Sequence, residues 1–224
     1  HTRFRNVTGV QTCALPISTL TSVELGRRLL ERNELQALAN RHRLAAAGVR
    51  AVNLLSSPGS GKTALLEALA RCTGPVAAWP LVLVGDGSER SSLERQAAAA
   101  GLAERVQFAG FQLDPLPFLL GASVFVLPSR FEGMPNAALE ALATGCPVLI
   151  SEGANGSGLI EDKSGWVIGP SLADSLEIVL NAPSTELESR GRWGRRKVLE
   201  RYGMAAMVER TTRVYDAVLQ QVLP

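Results

Sequence analysis

The sequence predicts an α/β fold: a doubly wound parallel sheet, Rossmann-like, with helices on both faces. Three observations carry that reading. Short apolar runs of buried-strand length alternate with segments of helical period, and strands separated by helices mean βαβ units. The runs end in turn chemistry, as where Leu81–Val84 (LVLV) meets Gly85-Asp86-Gly87. A third signal is Ala51–Leu55 (AVNLL), which leads into a glycine-rich turn and then a helix. Such sheets bind ligands beyond the carboxyl ends of their strands.

The elements follow in order. After the Leu81–Val84 strand, a helix is expected over Ser91–Gly101 and a second strand at Val106–Phe108. Asp114-Pro115 supplies a cap and a first position for the helical PLPFLLGA. Val124–Leu127 and Pro147–Ile150 read as further strands, with a helix at Pro135–Thr144 between them. Gly145 stands where that helix needs a left-handed terminator. In the tail, Ser175–Leu180 and about Met204–Leu223 read as helices. The basic run Arg190, Arg192, Arg195, Arg196 and Lys197 reads as a solvated helix face, and Trp193 and Tyr202 as packing residues.

Composition narrows the function classes. The chain has 224 residues with 46% apolar and 20% charged, enough to bury a substantial core. Its 23 Lys+Arg against 21 Asp+Glu give a net charge of +2, which makes no electrostatic case for nucleic acid. No apolar stretch has the length of a bilayer crossing, so no transmembrane segment is expected. Cys13, Cys72 and Cys146 form neither a disulfide framework nor zinc spacing, which points to a reducing, cytoplasmic compartment. With only His1 and His42, no metal centre is expected.

The chain reads as three pieces. Val7–Ile17 (VTGVQTCALPI) lacks any helical or strand period, and it resembles a sequencing adapter translated in frame. Residues 1–17 are therefore expected to be a non-native disordered arm, set aside from fold reasoning. The second piece spans residues 18–77. Thr21 and Glu24 have capping-box spacing, Leu25, Leu29, Leu35 and Leu38 recur at helical spacing, and Gly48 ends that helix. Ala51–Leu55 then meets Ser56-Ser57-Pro58-Gly59-Ser60-Gly61-Lys62-Thr63 at the start of another helix.

That context suits a phosphate-binding loop. Gly59 and Gly61 let backbone N–H groups turn toward a phosphate, Lys62 reaches terminal phosphates, and the Thr63 hydroxyl ligates magnesium. The strict pattern wants glycine where Ser56 stands, and the alternative is an ordinary strand-to-helix turn. Residues 18–77 resemble the opening of the hydrogenase nickel-incorporation GTPases, through Asn33, Asn40-Arg41 and the Ser-Ser-Pro-Gly-Ser-Gly-Lys-Thr element. The resemblance implies GTP with magnesium at this loop. No later Asp-x-x-Gly or Asn-Lys-x-Asp element follows, so this piece reads as a fragment.

The third piece, residues 78–224, carries the most chemistry, in Ser129–Val148 (SRFEGMPNAALEALATGCPV). Glu132 falls in the loop after a strand, and Glu140 about one and a half turns into a helix lined by Ala137, Ala138, Ala141 and Ala143. A carboxylate accepts hydrogen bonds only, and its two oxygens suit a vicinal diol such as that of a ribose. The amides of Gly133, Met134 and Asn136 stand at a positive helix end and are candidate donors to sugar hydroxyls or phosphate oxygens. The alternative reading of each Glu is a solvated charge or a partner of the helix dipole.

The segment resembles the Glu-x7-Glu motif of retaining glycosyltransferases with the GT-B fold, the large nucleotide-sugar-dependent group 1 family. LVLVGDG, RVQFAGF, ASVFVLPSRFEGMPNAALEALATGCPVLIS and SGWVI stand in that family's order. The resemblance implies a UDP- or GDP-sugar donor and transfer of a hexose to a glycan or lipid-linked acceptor. It implies that Glu140 holds the ribose hydroxyls and that Glu132 contacts the transferred sugar, as the catalytic residue. Gly133, Met134, Pro135 and Asn136 would form the floor beside them, with Gly110-Phe111 near the nucleobase and Gly85 and Gly87 near the cleft. The final helix corresponds to the one that packs onto the family's acceptor-binding domain, so its apolar face is expected to be exposed here.

Two departures stand out. The family's Gly-Arg…Lys-Gly loop, which supplies a basic pair to the diphosphate, is replaced by the phosphate-loop fragment, and the acidic residue expected before Leu159-Ile160 is Gly158. With the acceptor-binding domain also outside the resemblance, this chain is expected to be inactive alone. Placing the two pieces together predicts a hybrid sheet. Ala51–Leu55 should pair beside Leu81–Val84, with the phosphate loop facing the Glu132 cleft and Lys62 near the place of the basic pair.

Overall fold

In the computed structural model, residues 52–55, 61–161 and 163–222 are described, and their elements alternate as the sequence predicts. The strands are β1 (Val52–Leu55), β2 (Leu81–Val84), β3 (Val106–Gly110), β4 (Val124–Leu127), β5 (Val148–Ile150) and β6 (Gly165–Val167). The helices are α1 (Lys62–Arg71), α2 (Arg90–Ala99), α3 (Leu116–Gly121), α4 (Asn136–Ala143), α5 (Leu172–Asn181), α6 (Ser184–Tyr202) and α7 (Met204–Val222). The arm expected over 1–17, the helix expected between Thr21 and Gly48, and Ser56–Ser60 with Gly59 lie outside the described residues.

The strands form one sheet in the order β3-β2-β1-β4-β5-β6, and every pairing is parallel. The pairing expected for β1 is present: Val52 lies opposite Leu81 and Leu55 opposite Val84. On its other side β1 pairs with β4, Val52 opposite Val124. The strand order therefore reverses between β1 and β4, and that reversal opens a crevice at the carboxyl edge. Residue 78, where the sequence places the boundary between its second and third pieces, lies between α1 and β2.

Residue alternation along the strands builds two cores. Val124, Val126 and Leu149 point to the face covered by Leu65, Leu66 and Leu69 of α1 and Leu176 and Val179 of α5. Phe125, Leu127, Val148 and Ile150 point to the opposite face, against Ala138, Ala141 and Leu142 of α4. Because β4 and β5 are buried on both faces, they read as unbroken apolar runs. Each such side chain contributes about 1.5–3 kcal/mol relative to exposure.

Local chemistry sets the helix ends. The Asp114 carboxylate accepts the Leu116 N–H at 3.0 Å at the start of α3. Gly145 ends α4 at φ 77°, with its N–H on the Leu142 carbonyl and that of Cys146 on the Ala141 carbonyl. That is the paired 5→2, 6→1 pattern of a left-handed terminator. The sheet also gains β6, which carries too few residues to stand out as a strand by period alone.

The basic run on α6 corrects one expectation. Arg192 and Arg196 are exposed, but Lys197 is buried and ion-paired with Glu161, whose carboxyl that bond holds below its ordinary pKa. Arg190 donates to the Gly165 carbonyl at 2.7 Å and lies 4.2 Å from the Trp166 ring centre. These cations fasten α6 to β6 and its preceding loop, because a long stem lets a helix-borne charge reach inward. The apolar face of α7 is exposed as expected, through Met204, Met207, Val208, Val214, Tyr215, Val218 and Leu219.

Candidate functional site

The start of α1 meets the chain leaving β4 at the point where the strand order reverses. Gly61, the residue before α1, has φ 80°, and a Cβ there would lie 2.6 Å from the Pro128 carbonyl oxygen. Gly61 thus abuts the chain leaving β4. Only glycine has both the conformation and the clearance for that approach. Four residues past Pro128 comes Glu132.

The Glu132 loop is braced from behind. Its half-buried residue donates the backbone N–H to the Gly153 carbonyl at 3.4 Å. A Cβ on Gly153 would lie 1.9 Å from the Arg130 carbonyl oxygen, so the two loops are packed backbone to backbone. Ser151 Oγ donates to the Ser129 carbonyl and accepts from the Ala154 N–H at 3.2 Å, which fixes the bracing turn. Sequence reading did not single out Gly153, since its contact comes from a loop after another strand.

Pro135 opens α4 as expected, but its geometry corrects the role of one neighbour. At φ −78° and ψ 77° it is the centre of an inverse γ-turn, in which the Asn136 N–H bonds to the Met134 carbonyl at 2.9 Å. The Asn136 amide is therefore not a free donor; its exposed side chain is. Among the described residues neither the Gly133 nor the Met134 N–H has a protein partner, and Gly133 faces open space. Glu140, the fifth residue of α4, is exposed about 6 Å along the axis from its start.

A hollow opens at the carboxyl end of β2. Lys62, Gly85, Asp86, Gly87, Ser88, Glu89, Arg90 and Phe108 line it, so the structure brings Lys62 together with Gly85 and Gly87. Glu132 and Glu140 do not line it; they stand on the β4 side of the reversal. Lys62 is the first residue of α1, and partial burial lowers its pKa, with Glu89 acting in the opposite direction. Thr63 is exposed beside it. Gly85 and Gly87 do not offer free amides: Gly85 donates to the Gly110 carbonyl at 2.8 Å and Gly87 to Asp86 Oδ1 at 2.8 Å.

The turn after β3 flanks this hollow. Gly110 has φ 69°, and Phe111 beyond it is 73% exposed. Leu113, Phe131 and Met134 are also exposed, giving the carboxyl edge an apolar rim on both flanks. Arg90 escaped the sequence reading. Its only signal was charge spacing, with Asp86 four residues before it and Glu94 four after. Among the described residues no cluster of acidic, histidine or cysteine side chains could hold a metal ion, and no helix is long and apolar enough to cross a membrane.

Comparison with known proteins bears on this edge. A family model described as Glycosyl transferases group 1 matches residues 51–181, which includes β1, the glycine-rich loop and α1. The lipopolysaccharide core biosynthesis glycosyltransferase LpsE of Rhizobium meliloti is 36% identical over 134 residues, covering 57% of this chain and 38% of LpsE. Among solved structures, Anabaena Alr3699/HepE in complex with UDP and glucose superposes with a TM-score of 0.69 at 22% identity, covering 81% of this chain and 52% of that one. The C-terminal domain of the Francisella tularensis glycosyl transferase group 1 protein LpcC superposes with a TM-score of 0.63 at 21% identity, covering 74% of this chain and 93% of that domain. These likenesses establish the fold, and the chain spans about two fifths of LpsE and half of the HepE chain.

Proposed function

The chain belongs to the Glycosyl transferases group 1 family, and from that premise we propose that its carboxyl edge binds a nucleotide-sugar donor, UDP- or GDP-linked, for retaining transfer of a hexose to a glycan or lipid-linked acceptor. The observation that carries the reading is the close approach of Gly61, before α1, to Pro128, after β4, at the reversal of strand order. The start of α1, with Lys62, abuts the chain that leads into Glu132. A related fold has been solved with UDP and glucose.

The chemistry follows from the residues. Breaking the bond between sugar and diphosphate leaves negative charge on the diphosphate and an oxocarbenium-like sugar. Lys62, partly withdrawn from water, offsets that charge more strongly than a fully solvated amine. The amides of Gly133 and Met134 and the side chain of Asn136 donate to sugar hydroxyls, while Glu132 accepts from them beside the reacting carbon. Glu140 takes both hydroxyls of the ribose, one on each oxygen. Gly85, Gly87, Gly110 and Phe111 form the nucleoside side. The exposed face of α7 is the surface on which the acceptor-binding half of such an enzyme packs.

Calorimetric titration with UDP-glucose and GDP-mannose tests this. The expected result is saturable binding that Glu140→Ala weakens at least tenfold, since two charge-assisted hydrogen bonds are lost at about 1.5–3 kcal/mol each. A chain that ignores both donors but binds magnesium–GTP, with loss of binding on Lys62→Ala, would instead establish the phosphate-loop GTPase fragment and sink this proposal.

A further inference from the structure

We infer that Arg90 is a positioning residue that sets where Phe111 stands relative to the Gly85–Gly87 turn, and thereby governs how the nucleoside end of the donor is held. The inference rests on the donor-site reading above. Arg90 is the first residue of α2, and its guanidinium presents donors in a fixed planar fork. Nε bonds Glu94 Oε1 at 2.8 Å, Nη1 lies 3.5 Å from Asp86 Oδ2, and Nη2 donates to the Phe108 carbonyl at 3.4 Å. One side chain thus touches the turn after β2, its own helix, and the middle of β3.

The backbone beneath it is irregular. The β2–β3 register shifts between Leu83 and Val84, and Gly85 then meets Gly110 in a short antiparallel bridge closed by the Gly85 N–H. A Cβ on Gly110 would lie 3.1 Å from Arg90 Nη1 and 3.9 Å from Asp86 Oδ2, so the guanidinium and its carboxylate cover the Gly110 turn. Phe111 follows directly, with its ring out in solvent. Among the described residues neither core cluster includes that ring; its position is inherited from Gly110, and that of Gly110 from the bridge and Arg90.

A bland surface ion pair would leave ligand binding untouched. A lysine cannot replace the fork, because a point charge on a flexible stem cannot hold two carboxylates and a carbonyl at once. The two readings separate in a double-mutant cycle on the full chain, using whichever of UDP and GDP the wild type binds more tightly.

The variants are Arg90→Ala, Arg90→Lys, Phe111→Ala and the double variant Arg90→Lys with Phe111→Ala, each checked for an unchanged circular dichroism spectrum. Arg90→Lys carries the test if Arg90→Ala does not fold. Each Arg90 variant is expected to weaken nucleotide binding about three- to tenfold. The double variant should bind no worse than Phe111→Ala alone, since Arg90 acts through the same turn. Nucleotide affinity unchanged by Arg90→Lys, or losses that simply add in the double variant, would overturn the inference while leaving the donor site intact. A wild-type chain that binds neither nucleotide would overturn the donor-site reading and this inference with it.

Discussion

Replacing Gly153 by alanine tests whether the Glu132 loop is held by backbone packing. The added Cβ would stand 1.9 Å from the Arg130 carbonyl oxygen and 2.9 Å from its carbon, against ordinary contact at 3.4 Å or more. One of the two backbones must therefore withdraw by about 1.5 Å, and neither is the flexible end of a side chain. Overpacking of this kind costs about 1–3 kcal/mol. Because Glu132 lies two residues beyond Arg130 and bonds the Gly153 carbonyl, the displacement reaches its carboxylate. A shift of about 1 Å at a reacting group can cost on the order of a hundredfold in rate. Denaturant unfolding gives the stability term. Parallel titrations with UDP and UDP-glucose give the site term, with the affinity gained from the glucose expected to vanish and UDP binding to be kept. Gly156→Ala is the control, since its Cβ meets only the Gly153 carbonyl oxygen, at 3.9 Å. A Gly153→Ala chain with wild-type stability and undiminished preference for UDP-glucose over UDP would refute the argument.

Two further expectations follow from the packing and the charges. Gly191→Ala places a Cβ 2.0 Å from the Gly145 carbonyl oxygen, so it should separate α6 from the end of α4 and lower stability by about 1–3 kcal/mol in chemical denaturation; wild-type stability would show that α6 does not seat on that terminator. Lys62→Met should raise stability near neutral pH while weakening nucleotide-sugar binding. Burial lowers the folded-state pKa of Lys62 below its ordinary 10.5, so its charge opposes folding below that folded value. That penalty is relieved as pH rises toward 10.5. The stability gap between Lys62→Met and wild type should accordingly shrink with rising pH in this window, and a gap that widens would reverse the assignment.

How much was legible beforehand depended on the range of each interaction. The strands at Leu81–Val84 and Val124–Leu127, the helix starting at Lys62 and the terminator at Gly145 all appear where period and turn chemistry place them. These signals act over a few residues. The Glu132–Glu140 segment was legible as a motif for the same reason, being one loop and the helix that continues it. The donated bond of the Asn136 amide was not, because it depends on the ψ angle that Pro135 adopts. Arg190 and Lys197 looked like surface charges because periodicity describes a helix face but not what another segment brings against it.

By itself the amino-acid sequence determined the alternation of strands and helices and the residues that end them, since backbone propensity and apolar period are written into neighbouring positions. Only the tertiary structure decided that β1 pairs with β4 on its other side, that Lys62 shares a hollow with Gly85 and Gly87, and that Gly153 braces the chain before Glu132. Those contacts join residues about twenty to seventy positions apart. They come from packing helices on both faces of a twisted sheet, and chain closure over such distances leaves no periodic trace in the residues that make it.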